Sequence, residues 1–130
     1  MAGYKQSGFR IKEWGTIFRK LFFKRYEEFA SEMGFPDWKS AYENTYFVFR
    51  IPEDAQWSAT ELPNRTWAVW NDIGEPPYSI RLFSTWREAS TFLRNIFEKE
   101  KYLEDYWDPE GFDPGEDVFL KPPEKHKKDD

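Results

Sequence analysis

The residue types that most often carry catalysis are scarce in this chain of 130 residues. It has no cysteine, which excludes a thiol nucleophile, a disulfide framework and a cysteine zinc site. Its single histidine, His126, lies in the polar C-terminal stretch and is poorly placed to act as a triad base or a core metal ligand. The seven glycines form no phosphate-loop or dinucleotide-binding pattern. We therefore expect no catalytic residues and no cofactor, and we keep a carboxylate-based enzyme as a third alternative.

Carboxylate, lysine or tyrosine chemistry remains, and the carboxylates cluster towards the C-terminus. Six of them are Asp105, Asp108, Glu110, Asp113, Glu116 and Asp117. Calcium prefers oxygen ligands of this kind, but the spacing lacks the alternating acids and the glycine of an EF-hand loop. We interpret these residues as solvated acidic turns and predict no metal site.

The charges are unevenly distributed along the chain. Residues 1–25 carry seven Lys or Arg against the single acid Glu13, whereas residues 98–117 carry nine acids against Lys99 and Lys101. Two interpretations follow. The basic and acidic regions attract each other within the fold or in a homodimer, which we favour, or they form two separate surfaces for partners.

Aromatic residues make up 21% of the chain, and we expect some of them to lie on the surface of so small a domain. Trp, Tyr and Arg side chains dominate the energetics of protein interfaces. We choose candidate partner-binding residues from predicted loops, from the second face of a strand and from the acidic segment. They are Trp57, Trp70, Tyr106, Trp107 and Phe112.

These features predict a small, non-catalytic protein-binding or regulatory protein whose partner is another protein. One form of this hypothesis is an inhibitor made by a phage or plasmid against a host nucleic-acid enzyme, with carboxylates competing for a surface that normally holds phosphates. The alternative is a nucleic-acid-binding protein that uses sheet aromatics and the basic first helix. Its candidate anion contacts are Arg19, Lys20, Lys24 and Arg25, although the net charge of -5 opposes this function.

Hydropathy argues against a membrane span. The longest apolar runs, residues 21–23 and 46–49, are far shorter than the roughly 20 residues that a transmembrane helix needs. Residues 1–12 contain no apolar core of a signal peptide. We expect a cytoplasmic protein, and we favour packing of the first helix on its own sheet over contact with an anionic membrane.

The elements that must position these residues follow from periodicity. Apolar residues at spacings of three and four predict a helix over residues 14–33, which Gly34 and Pro36 end. A short helix is expected over residues 37–42. The period then changes to two, which predicts strands over residues 45–51, 66–71 and 78–83, with one further short strand near 57–62.

A capping box, Thr85-Trp86-Arg87-Glu88, predicts the start of a helix that continues to about residue 103. The fold class that results is α+β: a small antiparallel sheet of three to four strands packed against two main helices, which we place on one side of the sheet. We predict a flexible lead-in (1–12), a single domain (13–104), an irregular acidic aromatic arm packed on the domain or on a partner (105–121), and a disordered tail (122–130).

Overall fold

A four-stranded antiparallel meander, in which the strands follow one another in chain order, organises the protein. The computed structural model describes residues 23–53 and 55–128. The predicted lead-in and the first part of the predicted first helix lie outside these residues. The predicted α+β fold, with a sheet of this kind and two longer helices, is confirmed.

The helices and strands have the following bounds. Residues 23–32 are helical and belong to helix α1. The other elements are α2 (Trp38–Glu43), β1 (Thr45–Ile51), β2 (Ala55–Glu61), β3 (Trp67–Asn71), β4 (Arg81–Phe83) and α3 (Trp86–Lys99). Single turns of 3-10 helix occupy Glu104–Tyr106 and Lys125–Lys127.

The first two strands form a hairpin with a defined register. Thr45 pairs with Thr60 at one end of the β1–β2 hairpin and Ile51 with Ala55 at the other, with a bulge between Phe47 and Phe49. The prediction for β1 is therefore confirmed to the residue, whereas the strand predicted near 57–62 begins at Ala55.

Strand β4 is shorter than its alternating pattern predicts. Residues 78–80 do not pair with β3, so the prediction of a strand over 78–83 holds only for Arg81–Phe83. Tertiary packing provides the reason. The Tyr78 ring is buried and stacks on Trp70 with centroids 5.5 Å apart, so it faces the core without ladder hydrogen bonds.

Helices cover both faces of the sheet, which corrects our expectation of helices on one side. On one face, Trp67 and Val69 pack with Leu93 and Phe97 of α3. On the other, Ala68 and Trp70 pack with Phe29 of α1 and Ala41 of α2. The side chains of β3 alternate between the two faces as predicted. Residues 67–70 are nevertheless all buried, because helices cover both faces of the sheet.

The capping box at the start of α3 is confirmed. The Glu88 backbone N–H donates to the Thr85 hydroxyl at 3.2 Å, and the Thr85 N–H donates to the Glu88 carboxylate at 3.3 Å. The helix ends at Lys99, earlier than predicted, because Lys101 turns to a positive φ of 58°. Tyr102 then packs back on Phe97 with ring centroids 6.0 Å apart.

Two buried hydroxyls on β2 allow a matched test of polar burial. The Thr60 hydroxyl contacts the Thr45 hydroxyl at 2.6 Å and accepts from the Trp70 indole N–H at 2.9 Å. The Ser58 hydroxyl is equally buried but has no hydrogen-bond partner among the described residues.

We therefore expect Ser58→Ala to leave the free energy of unfolding unchanged or raise it by about 1 kcal/mol, because it removes a desolvated polar group. Thr60→Val should lower it by about 1–3 kcal/mol, because it leaves the indole N–H without an acceptor. Urea unfolding of both variants measures the difference. Equal losses of stability in the two variants would contradict this account.

Candidate functional site

The acidic arm lies along the outer edge of β1 and supplies the hydrogen bonds of a missing neighbour strand. The backbone N–H groups of Asp108 and Glu110 donate to the carbonyls of Val48 and Phe47 at 3.0 and 2.9 Å. The Glu110 carboxylate accepts from the Phe47 N–H at 2.9 Å. An exposed strand edge is a template for unwanted pairing, so this contact satisfies and protects β1.

The aromatic side chains of the arm pack on the domain. The Trp107 ring lies 5.4 Å from Phe97 and 5.8 Å from Phe49, and the Arg94 guanidinium lies 5.0 Å from its centre. Phe112 packs against Trp86 at 6.1 Å. These contacts leave Trp107 and Phe112 half-buried, so only part of each ring can meet a partner.

The remaining predicted partner-binding residues have different positions. Trp70 is only 4% exposed, so it is a core residue and we withdraw it as a contact residue. Sequence alternation placed it on a second face that we took to be open, and α1 and α2 cover that face. Trp57 is half-buried against Phe92, and Tyr106 is half-buried beneath the guanidinium of Arg50.

The candidate anion-binding residues fall mostly outside this region. Arg19 and Lys20 lie outside the described residues, and the Lys24 side chain is exposed on α1. Arg25 donates to Glu75 at 2.6 Å in an exposed ion pair. In the part of the chain that is described, the structure thus brings no cluster of these cations together.

Four of the nine acids in residues 98–117 pair with cations from the C-terminal half of the chain. Arg94 donates to Glu98 at 2.8 Å and to both carboxylate oxygens of Glu104 at 2.8 and 2.9 Å. These hydrogen bonds lower the pKa of Glu104. The attraction that we expected between residues 1–25 and the acidic segment is therefore not seen for the described residues 23–25.

A second ionic cluster joins the arm to the tail. The Lys127 ammonium lies 3.0 Å from Asp113, 3.2 Å from Glu116 and 3.2 Å from Glu124. The Asp113 N–H donates to Glu116 at 2.6 Å, and Lys121 lies 2.9 Å from the same carboxylate. The backbone hydrogen bond, followed by these ammonium groups, lowers the pKa of Glu116 to about 2.

Residues 122–128 pack on the domain, although composition favours disorder for this tail. The Lys128 ammonium lies 5.0 Å from the centre of the Tyr46 ring and donates to the carbonyls of Tyr42 and Thr45. Burial lowers the pKa of Lys128. Lysine carries a long apolar stem and a cation that aromatic faces attract, so a lysine-rich tail can be anchored by contacts that composition does not reveal.

A groove lies between β1 and the arm, with a volume of about 370 Å³. We call it the arm groove. The lining residues are Phe47, Phe49, Arg50, Gln56, Asp105, Tyr106, Asp108 and Glu110. Three carboxylates thus converge beside aromatic rings, against the single cation Arg50. Because Arg50 already places its guanidinium 5.1 Å from the Tyr106 ring centre, the groove has the chemistry to hold cationic side chains.

Three further features of residues 23–53 and 55–128 concern a metal site, a membrane span and a pair of tyrosine hydroxyls. No group of three or more His, Cys, Asp or Glu residues in this region is arranged to hold a metal ion. None of the helices described is both long and apolar enough to cross a bilayer. Burial and a 3.3 Å contact with the Tyr26 hydroxyl raise the pKa of Tyr78, but this pair belongs to the core.

Comparison of the chain with protein-family models, with curated proteins and with solved structures gives no match.

The pKa of Glu116 predicts a dependence of stability on acid pH. Its folded pKa of about 2 lies below the ordinary value of 4.5, so the folded state binds the proton less readily than the unfolded chain. The resulting stabilisation is present above about pH 4.5 and is lost as the pH falls towards 2. We expect Glu116→Gln to flatten the fall in unfolding free energy across this window. Identical slopes for the variant and the parent protein in urea titrations would refute the assignment.

Gly111 permits the close approach of arm, tail and sheet. A Cβ at this position would lie 2.5 Å from Pro123 Cβ and 3.1 Å from the Tyr46 ring, at a φ of 92°. Gly115 has a similar φ of 85° but nothing within 4 Å, so it is a matched control.

Gly115→Ala should lower the unfolding free energy by about 1–2 kcal/mol through its backbone alone. Gly111→Ala should lower it by a further 1–3 kcal/mol or so, because it also overpacks the contact between arm and tail. Thermal unfolding measures both changes, and hydrogen exchange should show faster exchange of the Glu124 N–H, which donates to the Gly111 carbonyl at 2.9 Å. Equal effects of the two substitutions would exclude a special role for the Gly111 contact.

Proposed function

We propose that this protein is a non-catalytic binding or regulatory protein that holds a lysine- or arginine-bearing segment of a partner protein in the arm groove. The observation that carries this proposal is the convergence of Asp105, Asp108 and Glu110 beside the Tyr106 ring in one concave site. A carboxylate and an aromatic face together suit a guanidinium or ammonium group.

The ion pairs of the neighbouring acids support the choice of the arm groove over the other acidic surfaces of this region. Glu98, Glu104, Asp113 and Glu116 are already paired with cations of the same chain. Asp105 and Asp108 are exposed, and no cation among the described residues pairs with them. They are therefore the carboxylates of the groove that a partner can reach.

Backbone hydrogen bonds hold the two sides of the groove together. Its inner side is β1, and its outer side is held to β1 by the backbone hydrogen bonds of Asp108 and Glu110. A site held in this way loses little conformational entropy when a partner binds. Electrostatic complementarity then accelerates encounter and selects for basic partners.

The test is affinity capture from a lysate of the source organism with a charge-matched pair of variants, each sample measured with and without nuclease treatment. Asp105→Asn combined with Asp108→Asn neutralises the groove. Glu28→Gln combined with Glu32→Gln removes two exposed acids from α1 and serves as the control. We expect one stoichiometric protein partner that the parent and the control retain, with roughly 10-fold or greater weakening for the groove variant.

Two outcomes would overturn the proposal. Equal retention of the partner by both variants would place the interface elsewhere on the protein. Recovery of nucleic acid, or of partners that nuclease treatment removes, would favour the nucleic-acid alternative and direct attention to Lys24 and the basic residues that precede it.

A further inference from the structure

A second concavity, with a volume of about 670 Å³, lies between the turn that follows β2 and the tail. We call it the tail cleft. Its apolar floor consists of Phe35, Tyr46, Leu62, Pro63 and Pro123, of which Pro63 is exposed and the other four are buried. Small-molecule sites commonly have this size and combine an apolar floor with a few polar groups.

One wall of the tail cleft is a hydrogen-bonded turn that presents Arg65. The Leu62 N–H donates to the Thr66 carbonyl at 2.8 Å, and the Arg65 N–H donates to the Leu62 carbonyl at 2.9 Å. The Asn64 carboxamide accepts from the Thr66 N–H and hydroxyl at 3.1 and 2.6 Å. The backbone of Arg65 is thereby held at a φ of 72°, while its side chain stays 87% exposed.

The opposite wall is the 3-10 turn Lys125–Lys127, whose basic side chains point in different directions. Lys127 points into the ionic cluster of arm and tail, with only 16% of its side chain exposed. Lys125 and His126 instead line the cleft and are exposed. The cleft is therefore bordered by basic side chains from two separate segments of the chain.

The two carboxylates at the cleft equal Arg65 and Lys125 in number but pair poorly with them. Glu61 lies 3.9 Å from Arg65, which is a weak contact in solvent. Glu124 is shared between Lys127 at 3.2 Å, Lys121 at 3.4 Å and His126 at 3.5 Å. Among residues 23–53 and 55–128, no carboxylate pairs with Lys125. Arg65 and Lys125 therefore keep donors available for an anion that lies between the two walls.

We propose that the tail cleft binds a small phosphate monoester whose ester group is planar and apolar. The phosphate is held between Arg65 on one wall and Lys125 and His126 on the other. The planar group lies against Pro63, the exposed apolar residue of the floor. Arginine suits the phosphate because its planar fork of donors matches the phosphate oxygens. This site shares no residue with the arm groove, so its test is independent of the proposed protein partner.

His126 makes the test direct, because it is the only histidine in the chain and its imidazole C–H resonances need no further assignment. Phenyl phosphate is titrated into the full-length protein and followed by proton NMR. Adenosine 5′-monophosphate is a second probe, which distinguishes a nucleotide ligand from a simple aryl phosphate. Inorganic phosphate and phenol are controls, because each carries only one half of phenyl phosphate, the anion or the ring.

We expect phenyl phosphate or the nucleotide to shift the His126 resonance saturably, with a Kd at or below about 1 mM. Inorganic phosphate should bind at least about 10-fold more weakly and phenol should give no shift, because each lacks one half of the interaction. Arg65→Gln and Lys125→Gln should each weaken binding about 10-fold. Arg87→Gln and Lys99→Gln, which remove the same charges from exposed positions on α3, should leave it unchanged.

The proposal fails if no probe shifts the His126 resonance, or if inorganic phosphate binds as tightly as phenyl phosphate. The first result would mean that the cleft binds no phosphate monoester, and the second that the cations attract counter-ions without a built site. Equal weakening by all four substitutions would assign the effect to overall charge and would also overturn it.

Discussion

The hydrogen bonds between the arm and the outer edge of β1 are the constraint on which both proposed binding surfaces depend. A strand with free N–H and C=O groups requires partners, and Asp108 and Glu110 provide them through backbone and carboxylate. Once the arm is fixed there, Trp107 is directed onto α3 and Gly111 brings the chain against Tyr46 and Pro123. The arm groove lies on one flank of this junction, and the tail cleft is closed by the residues that follow it.

The predictable part of the fold is the part that local chemistry determines. The strand Thr45–Ile51 and the capping box of Thr85 and Glu88 depend on neighbouring residues, and both were predicted at the correct positions. The second layer of helix was missed, although its signal was present. Residues 67–70 are apolar on both faces, which is typical of a strand buried on both sides, and we interpreted one face as a binding surface.

The candidate sites were harder to predict because each is assembled from distant segments. Tyr106 and the acids Asp105 and Asp108 were singled out from the sequence, but their neighbour Arg50 belongs to a strand more than fifty residues earlier. Arg65 and Lys125 carry no local signal at all, and only the packing of the tail brings them to one cleft. The tail itself was predicted to be disordered, since composition does not show that Lys128 meets the rings of Tyr42 and Tyr46.

The two proposed sites, for ligands of opposite charge, are compatible with one small acidic chain because local charges, and not the net value of -5, decide what each surface attracts. At physiological salt, screening limits the influence of an exposed charge to about 8–10 Å. Arg94, Lys121 and Lys127 pair with Glu104, Glu116 and Asp113, whereas Asp105 and Asp108 of the groove have no cation partner among the described residues. The same pairing engages Glu124 at the tail cleft, so Lys125 has no carboxylate partner among the described residues. The ion pairs within the chain thus also determine which charged groups of each surface remain available to a ligand.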